Sequence, residues 1–199
     1  MTKPYSAACE RNKKPIFEIL KELIKDQHLN ILEIGSGTGQ HALYFAENLP
    51  NITWQTSDLL ENHQAIKSWI NDQEDLVNIL SPLHYQAGQT PLPAEDYDLY
   101  FSANTLHIMS FDQAKVLFQD LGKNLKNGAL FAYYGPFNYQ GRFTSKSNEE
   151  FDQFLKMKAP HMGIRDFEEV CELLLKEGIE LLADHEMPAN NRMLIFKKK

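Results

Sequence analysis

Apolar positions along the chain switch between helical and strand-like spacing. Ile16, Leu20, Leu23 and Ile24 recur at helical spacing with charges between them, which predicts a helix opened by Pro15, where a missing N–H costs nothing. The stretch before it, PYSAACERN, is polar and reads as irregular. NILEI is a short buried strand, followed by a glycine turn and a helix from about Gly39 to Asn48 with Ala42, Phe45, Ala46 and Leu49 on one side. ITWQTSD, rich in β-formers, is a second strand. Residues 62–72 form a helix with Ile66, Trp69 and Ile70 inward, and a strand follows near 78–86. After the proline-marked loop QTPLPAED come a strand in YDLYFSAN and a helix over 111–126 carrying Val116, Leu117, Leu121 and Leu125. Asn127-Gly128 stops that helix. ALFAYYG is the next strand. A short helix near 147–157, a helix in RDFEEVCELLLKEG, and the strands IELLADHEM and RMLIFKK joined by PANN complete the chain.

Strand and helix alternate almost throughout, ending in a strand pair with a short link. That order predicts an α/β fold with a seven-stranded, mostly parallel sheet, helices on both faces, and a last strand running antiparallel. At 199 residues one domain is expected, spanning 1–199. A 43% hydrophobic and 24% charged composition suits a globular protein with a good core. Acidic residues exceed basic ones by 27 to 20, giving a net charge of -7, which disfavours generic nucleic-acid binding because that relies on Lys and Arg. Two cysteines indicate no disulfide framework. No apolar leader or membrane-length run is present, so the sequence reads as a soluble, cytoplasmic protein without a membrane partner.

Three glycines in five positions, Gly35, Gly37 and Gly39, follow the first strand at the end where ligands of open α/β sheets lie. A dinucleotide fingerprint needs G-x-G-x-x-G, but its third glycine position holds Gln40, and no Lys-Ser/Thr pair follows to make a phosphate-binding loop. Asp58, closing strand two, is placed to accept the hydroxyls of a ribose. Glycine turn and strand-two acid together suit an unphosphorylated nucleoside bearing a methionine tail.

LEIGSGTGQHALYFA resembles motif I of class I S-adenosylmethionine-dependent methyltransferases. KPYSAACERNKKPI, LEIGSGTGQHA, WQTSD, YGPF, TSKSN, GIRD and MPANN together resemble the methyltransferase-like 26 family, from residue 3 to about 196. The resemblance implies a Rossmann-like class I methyltransferase fold and S-adenosylmethionine as cofactor, and supplies no substrate. The chain departs from that family at the end of strand three, where Tyr85-Gln86-Ala87 replaces a Leu-Asp-Val-like segment. Gln86 offers adenine a neutral amide oxygen instead. Cofactor contacts are assigned to Arg11, Glu33, Gly35, Ser36, Gly37, Asp58, Gln86 and Asn104, with the Arg11 guanidinium suited to the methionine carboxylate.

Methyl transfer from a sulfonium mainly requires an aligned nucleophile and exclusion of water. Polar clusters end successive strands in ANTLHI, YYGPFN and MPANN, and would bring Asn104, His107, Tyr134, Asn138, Asn190 and Asn191 toward one crevice. His107 is the candidate base, against a turn-capping role; Tyr134, Asn148 and Asn190 are the candidate substrate contacts, with Asp152 beside them. His41 is read as a packing or capping residue. Segments 1–15 and 137–165 are read as lids, with Tyr5 of the first shielding the site and Ser147 with Glu150 as a capping box in the second. No metal ligands are assigned. The leading function is methyl transfer to an oxygen or nitrogen of a small molecule. A cofactor-binding module without catalysis and a nucleotide-linked oxidoreductase are the alternatives, the latter disfavoured by Gln40.

Overall fold

The computed structural model describes residues 3–73, 75–93 and 96–199. The first two positions of the N-terminal segment, Glu74, and Ala94-Glu95 of the proline-marked loop lie outside them. Among the described residues the elements run α1 (Ala7–Ile24), β1 (Leu29–Ile34), α2 (Gln40–Asn48), β2 (Ile52–Asp58), α3 (His63–Ile70), β3 (Ile79–His84), β4 (Leu99–Ala103), α4 (Phe111–Asn124) and β5 (Leu130–Gly135). They continue as β6 (Phe137–Asn138), α5 (Lys146–Lys158), β7 (Arg165–Asp166), α6 (Phe167–Lys176), β8 (Ile179–Met187) and β9 (Asn191–Lys198).

The main sheet has seven strands in the order β3-β2-β1-β4-β5-β9-β8. β1 lies parallel to β2 and β4, and β2 parallel to β3, whereas β9 runs antiparallel to both β5 and β8. The short Pro188–Asn190 link allows only that antiparallel return, since a parallel one needs a long crossover. β6 and β7 pair separately, Phe137 with Arg165 and Asn138 with Asp166. Two-residue strands have no period to read, so the sequence did not announce them.

The first helix starts earlier than its pattern suggests. Ser6, in extended conformation, accepts the Cys9 N–H on its Oγ and caps a helix that begins at Ala7. Pro15 therefore lies inside α1, not at its start. An interior proline costs a helix about 3 kcal/mol. Burial of Asn12, Ile16, Leu20 and Ile24 along one stripe offsets this cost. Trp69, expected inward, is only half-buried, and its indole N–H donates to the Pro4 carbonyl at 2.7 Å. In α4, Phe118 is buried and Val116 only half-buried, a rotation of the apolar stripe by one position.

The chain divides into two compact units, Met1–Ser102 and Ala103–Lys199. In the first, Phe45, Trp54 and Phe101 pack with ring centroids 5.2–5.7 Å apart, all three fully buried. In the second, Phe131 stacks on Phe196 at 6.0 Å, and Tyr133 meets Phe137 edge-on at 5.5 Å. No helix among the described residues is long and apolar enough to cross a membrane.

Candidate cofactor and acceptor sites

In the first unit β1 runs into the glycine turn. Gly35, Gly37 and Gly39 all hold positive φ, at 77°, 58° and 87°, a conformation that side chains disfavour. Two of the three differ in what surrounds them. A Cβ on Gly39 would meet the Ile66 backbone at 3.1 Å, so this glycine lets α2 approach α3. A Cβ on Gly37 would meet nothing within 4 Å, so open space lies over that part of the turn.

The turn is tied to the end of β2. Gly35 and Ser36 both donate their N–H groups to the Ser57 carbonyl, and Ser36 Oγ accepts the Ser57 N–H. Asp58 accepts the Gly37 N–H at 2.6 Å through Oδ2, and the Leu59 N–H and Asn62 Nδ2 through Oδ1. A carboxylate has about four lone-pair sites, so Asp58 shapes the turn and still has capacity for one further donor. Tyr85 donates its N–H to the Asp58 carbonyl, which places Gln86 beside the same strand end. The Gln86 N–H goes to Thr90 Oγ1 at 2.8 Å and its carbonyl accepts from Gln89 and Thr90, making a closed turn.

Glu33 lies beneath the turn, almost fully buried, and accepts the Trp54 indole N–H at 3.1 Å. Burial pushes its carboxyl up to about 7; hydrogen bonds from Trp54 and Ser36 pull the other way, and the Asp58 charge adds to the rise. His41 is buried against Phe45, with Nε2 2.7 Å from Asn12 Oδ1, and burial depresses its pKa to about 4. It is a packing residue, one of the two roles expected of it. Arg11 is exposed on α1.

Asn104 opens the second unit's polar cluster. It has a left-handed φ of 61° and donates its N–H to the Tyr134 carbonyl at 2.8 Å. Tyr134 is itself buried on β5. The Tyr133 hydroxyl accepts the Leu106 N–H at 3.0 Å and so fixes the turn leading to His107. His107 is 4% exposed and meets Phe151 of α5 edge-on at 5.3 Å. Among the described residues, its Nδ1 and Asn138 Oδ1 are the buried side-chain polar atoms without a partner. Burial, with the Arg165 charge adding, depresses the His107 pKa to about 4, so the ring is neutral at pH 7. Arg165 is fixed by the carbonyls of Leu106, Met109 and His161.

The residues of α5 hold this cluster. Its N-cap is Ser145, which takes the Asn148 N–H on its Oγ at 3.1 Å; the expected box at Ser147 and Glu150 does not form. Ser145 is extended whereas Ser147 is already helical, and only an extended residue can turn its oxygen onto the free N–H groups. Asn148 is buried and its Nδ2 donates to Thr144 Oγ1 and to the Asn190 carbonyl. Asn190 is exposed, with a left-handed φ like Ala189, and its Nδ2 lies 3.3 Å from Ser147 Oγ. Asn148 and Asn190 are thus brought together, with Asn148 supporting the strained link. A cleft of about 360 Å³ opens there among Tyr139, Thr144, Met187, Asn190, Asn191 and Arg192. Asp152 accepts the Ile164 N–H and pairs with Lys156, which ties down the following turn. Phe151, Asp152 and Arg165 escaped the sequence reading as scaffold residues because each acts on backbone or rings distant along the chain.

The structure carries the Rossmann-like class I methyltransferase fold: a seven-stranded mixed sheet with the last strand antiparallel. Human N-acetylserotonin methyltransferase in complex with SAM matches 96% of this chain and 52% of its own, with a TM-score of 0.78 and 17% identity. The mitomycin 7-O-methyltransferase MmcR matches 97% of this chain and 56% of its own, with a TM-score of 0.82 and 13% identity. Over 101 residues the sequence is 27% identical to the O-methyltransferase aoiF of Aspergillus oryzae, covering 50% of this chain and 24% of that protein. The chain thus spans about half the length of these solved neighbours and a quarter of the curated relative. Residues 3–198 match a single family model throughout, and the chain belongs to that family, described as "Protein of unknown function (DUF938)".

Proposed function

We propose that the protein is an S-adenosylmethionine-dependent methyltransferase acting on a hydroxyl of a small molecule. The observation that carries this reading is the glycine turn. Gly37 combines a left-handed backbone, open space where a side chain would stand, and an N–H held by the strand-two acid. A ligand can therefore lie directly on the backbone there. The names of aoiF and MmcR as O-methyltransferases support oxygen as the acceptor atom. The finer resemblance to the methyltransferase-like 26 family belongs to the same proposal.

Gly35, Ser36 and Gly37 would face the methionine part of the cofactor, Glu33 beneath them its ammonium group, Asp58 a ribose hydroxyl and Gln86 the adenine amino group. Arg11 would meet the carboxylate, and Asn104 would complete the cofactor contacts. When bound, S-adenosylmethionine supplies an electrophilic methyl group on a sulfonium and leaves as a neutral thioether. His107 would accept the acceptor's proton at Nδ1. A pKa near 4 makes it a weak base toward a free alcohol. It is strong enough for a hydroxyl that becomes very acidic as its oxygen forms the new C–O bond. Tyr134, Asn148 and Asn190 would recognise the acceptor, with segments 1–15 and 137–165 as lids that exclude water. We place the protein in the cytoplasm, with a small molecule, not a nucleic acid or a membrane, as its partner.

Calorimetric titration with S-adenosylmethionine, S-adenosylhomocysteine and NAD tests the cofactor. Binding of the first two and not NAD is expected, and Asp58→Ala should weaken it roughly tenfold to a hundredfold, the range for a lost charge-assisted hydrogen bond. Tighter NAD binding would contradict the reading. Transfer of a labelled methyl group to a panel of phenols and alcohols then tests catalysis. Cofactor binding without turnover on any acceptor would move the chain to the non-catalytic alternative.

A further inference from the structure

Residues 3–5 have no regular structure, yet they are fastened to the rest of the first unit at several points. Lys3 pairs with Asp72 at 2.8 Å and lies over the Trp69 ring. Trp69 Nε1 donates to the Pro4 carbonyl. Gln40, the first residue of α2, holds Ser6 by both backbone groups: Oε1 accepts the Ser6 N–H and Nε2 donates to the Ser6 carbonyl at 3.4 Å. The same Oε1 accepts the Thr38 hydroxyl at 3.1 Å, so one amide joins the N-terminal segment to the glycine turn. Three residues on, the Cys9 N–H donates to Ser6 Oγ at 3.3 Å, and burial raises the pKa of the Cys9 thiol. The segment therefore rests on the turn between Gly37 and Gly39.

We propose that residues 3–9 form a strap that gates the cofactor pocket, latched by Gln40 on one side and Trp69 on the other. The proposal rests on the cofactor reading above. A handful of partly exposed hydrogen bonds fastens the strap, and its Pro4 and Tyr5 are exposed. Such a segment opens at low cost while the unit stays folded. Gln40, where a dinucleotide site would need glycine, thereby acquires a positive role.

The test uses the two thiols of the full chain. Cys9 lies on the strap and Cys171 on α6, so peptide-resolved alkylation by iodoacetamide reports strap opening and an internal control in one sample. Gln40→Ala should raise the Cys9 rate about fivefold to tenfold, the effect of losing one or two hydrogen bonds, and leave Cys171 unchanged. The dissociation rate of S-adenosylhomocysteine, read by stopped-flow fluorescence, should rise by the same factor. Saturating S-adenosylhomocysteine should slow Cys9 alkylation in the wild type. If Gln40→Ala accelerates both thiols, the fold has loosened. Trp69→Phe then decides, keeping the ring but removing the donor, with an expected rise of about threefold at Cys9 alone. Unchanged Cys9 and dissociation rates in a chain that binds S-adenosylhomocysteine would overturn the strap and keep the cofactor. No calorimetric binding to the wild type would overturn the cofactor reading and the strap with it.

Discussion

The two units treat their buried polar groups differently. Around the glycine turn every feature is interlocked: Asp58 takes three donors, Ser36 and Ser57 exchange bonds, and Glu33 holds Trp54. In the second unit His107 Nδ1 and Asn138 Oδ1 are buried without partners among the described residues, while Tyr133, Arg165 and Asp152 are all engaged with backbone. An unsatisfied buried polar atom costs on the order of 1–3 kcal/mol. The first unit thus satisfies its buried polar groups internally, with one acceptor position left on Asp58. The second leaves two buried polar atoms, His107 Nδ1 and Asn138 Oδ1, unsatisfied.

The largest effect should come from separating the glycines of the turn. Gly39→Val combines a left-handed φ with a clash on the Ile66 backbone and should destabilise the fold by roughly 3–5 kcal/mol in urea unfolding. Gly37→Ala meets only the backbone strain, about 1–2 kcal/mol, and should lose cofactor affinity in a folded protein. Equal stability losses in the two variants would erase the distinction between a packing glycine and a ligand-facing one.

Titration sharpens the contrast further. With its carboxyl pushed up to about 7, Glu33 keeps a proton in the folded chain that the unfolded chain loses near pH 4.5. Stability therefore falls as pH rises through that window, by roughly 3 kcal/mol from this group. His41 and His107, depressed to about 4, act in the opposite sense: the unfolded chain binds their protons first, and stability rises from pH 4 to about 6.5. Glu33→Gln should remove the fall and expose the rise, with its gain over wild type growing between pH 5 and 7. Parallel stability curves for the two proteins would show that Glu33 is not the group responsible.

Smaller shifts compare the two buried histidines. His41→Phe leaves Asn12 Oδ1 without its partner and should cost about 1–3 kcal/mol. His107→Phe deprives no hydrogen-bonding group at Nδ1 of a partner and should leave stability unchanged or raise it by up to about 1 kcal/mol. Methyl transfer, once an acceptor is known, should disappear in the second variant. A thermal melt in which His107→Phe falls as far as His41→Phe would mark His107 as structural. The smallest effect concerns α5: Ser145→Ala should cost about 1 kcal/mol as a true N-cap, and Ser147→Ala less than about 0.5 kcal/mol.

Periodicity and glycine placement were sufficient for the seven main strands, their alternation with helices, the antiparallel last strand, and the turn that joins β1 to α2. These are local signals: side-chain spacing, turn chemistry and a link too short to cross over. The start of α1 departs from the pattern because Pro15 is the stronger local mark, whereas the Ser6 cap depends on the Cys9 N–H reaching its Oγ. Likewise Ser145 and Ser147 differ by backbone angle, not by residue type. Tertiary structure alone decided that Gly39 packs on Ile66 and Gly37 on nothing. It also decided that Asn148 supports Asn190, that Arg165 is fixed by three carbonyls, and that His107 lacks a partner at Nδ1. Each of these depends on atoms dozens of residues apart, and burial and hydrogen-bond satisfaction are properties of that assembled neighbourhood, which no local pattern in the chain records.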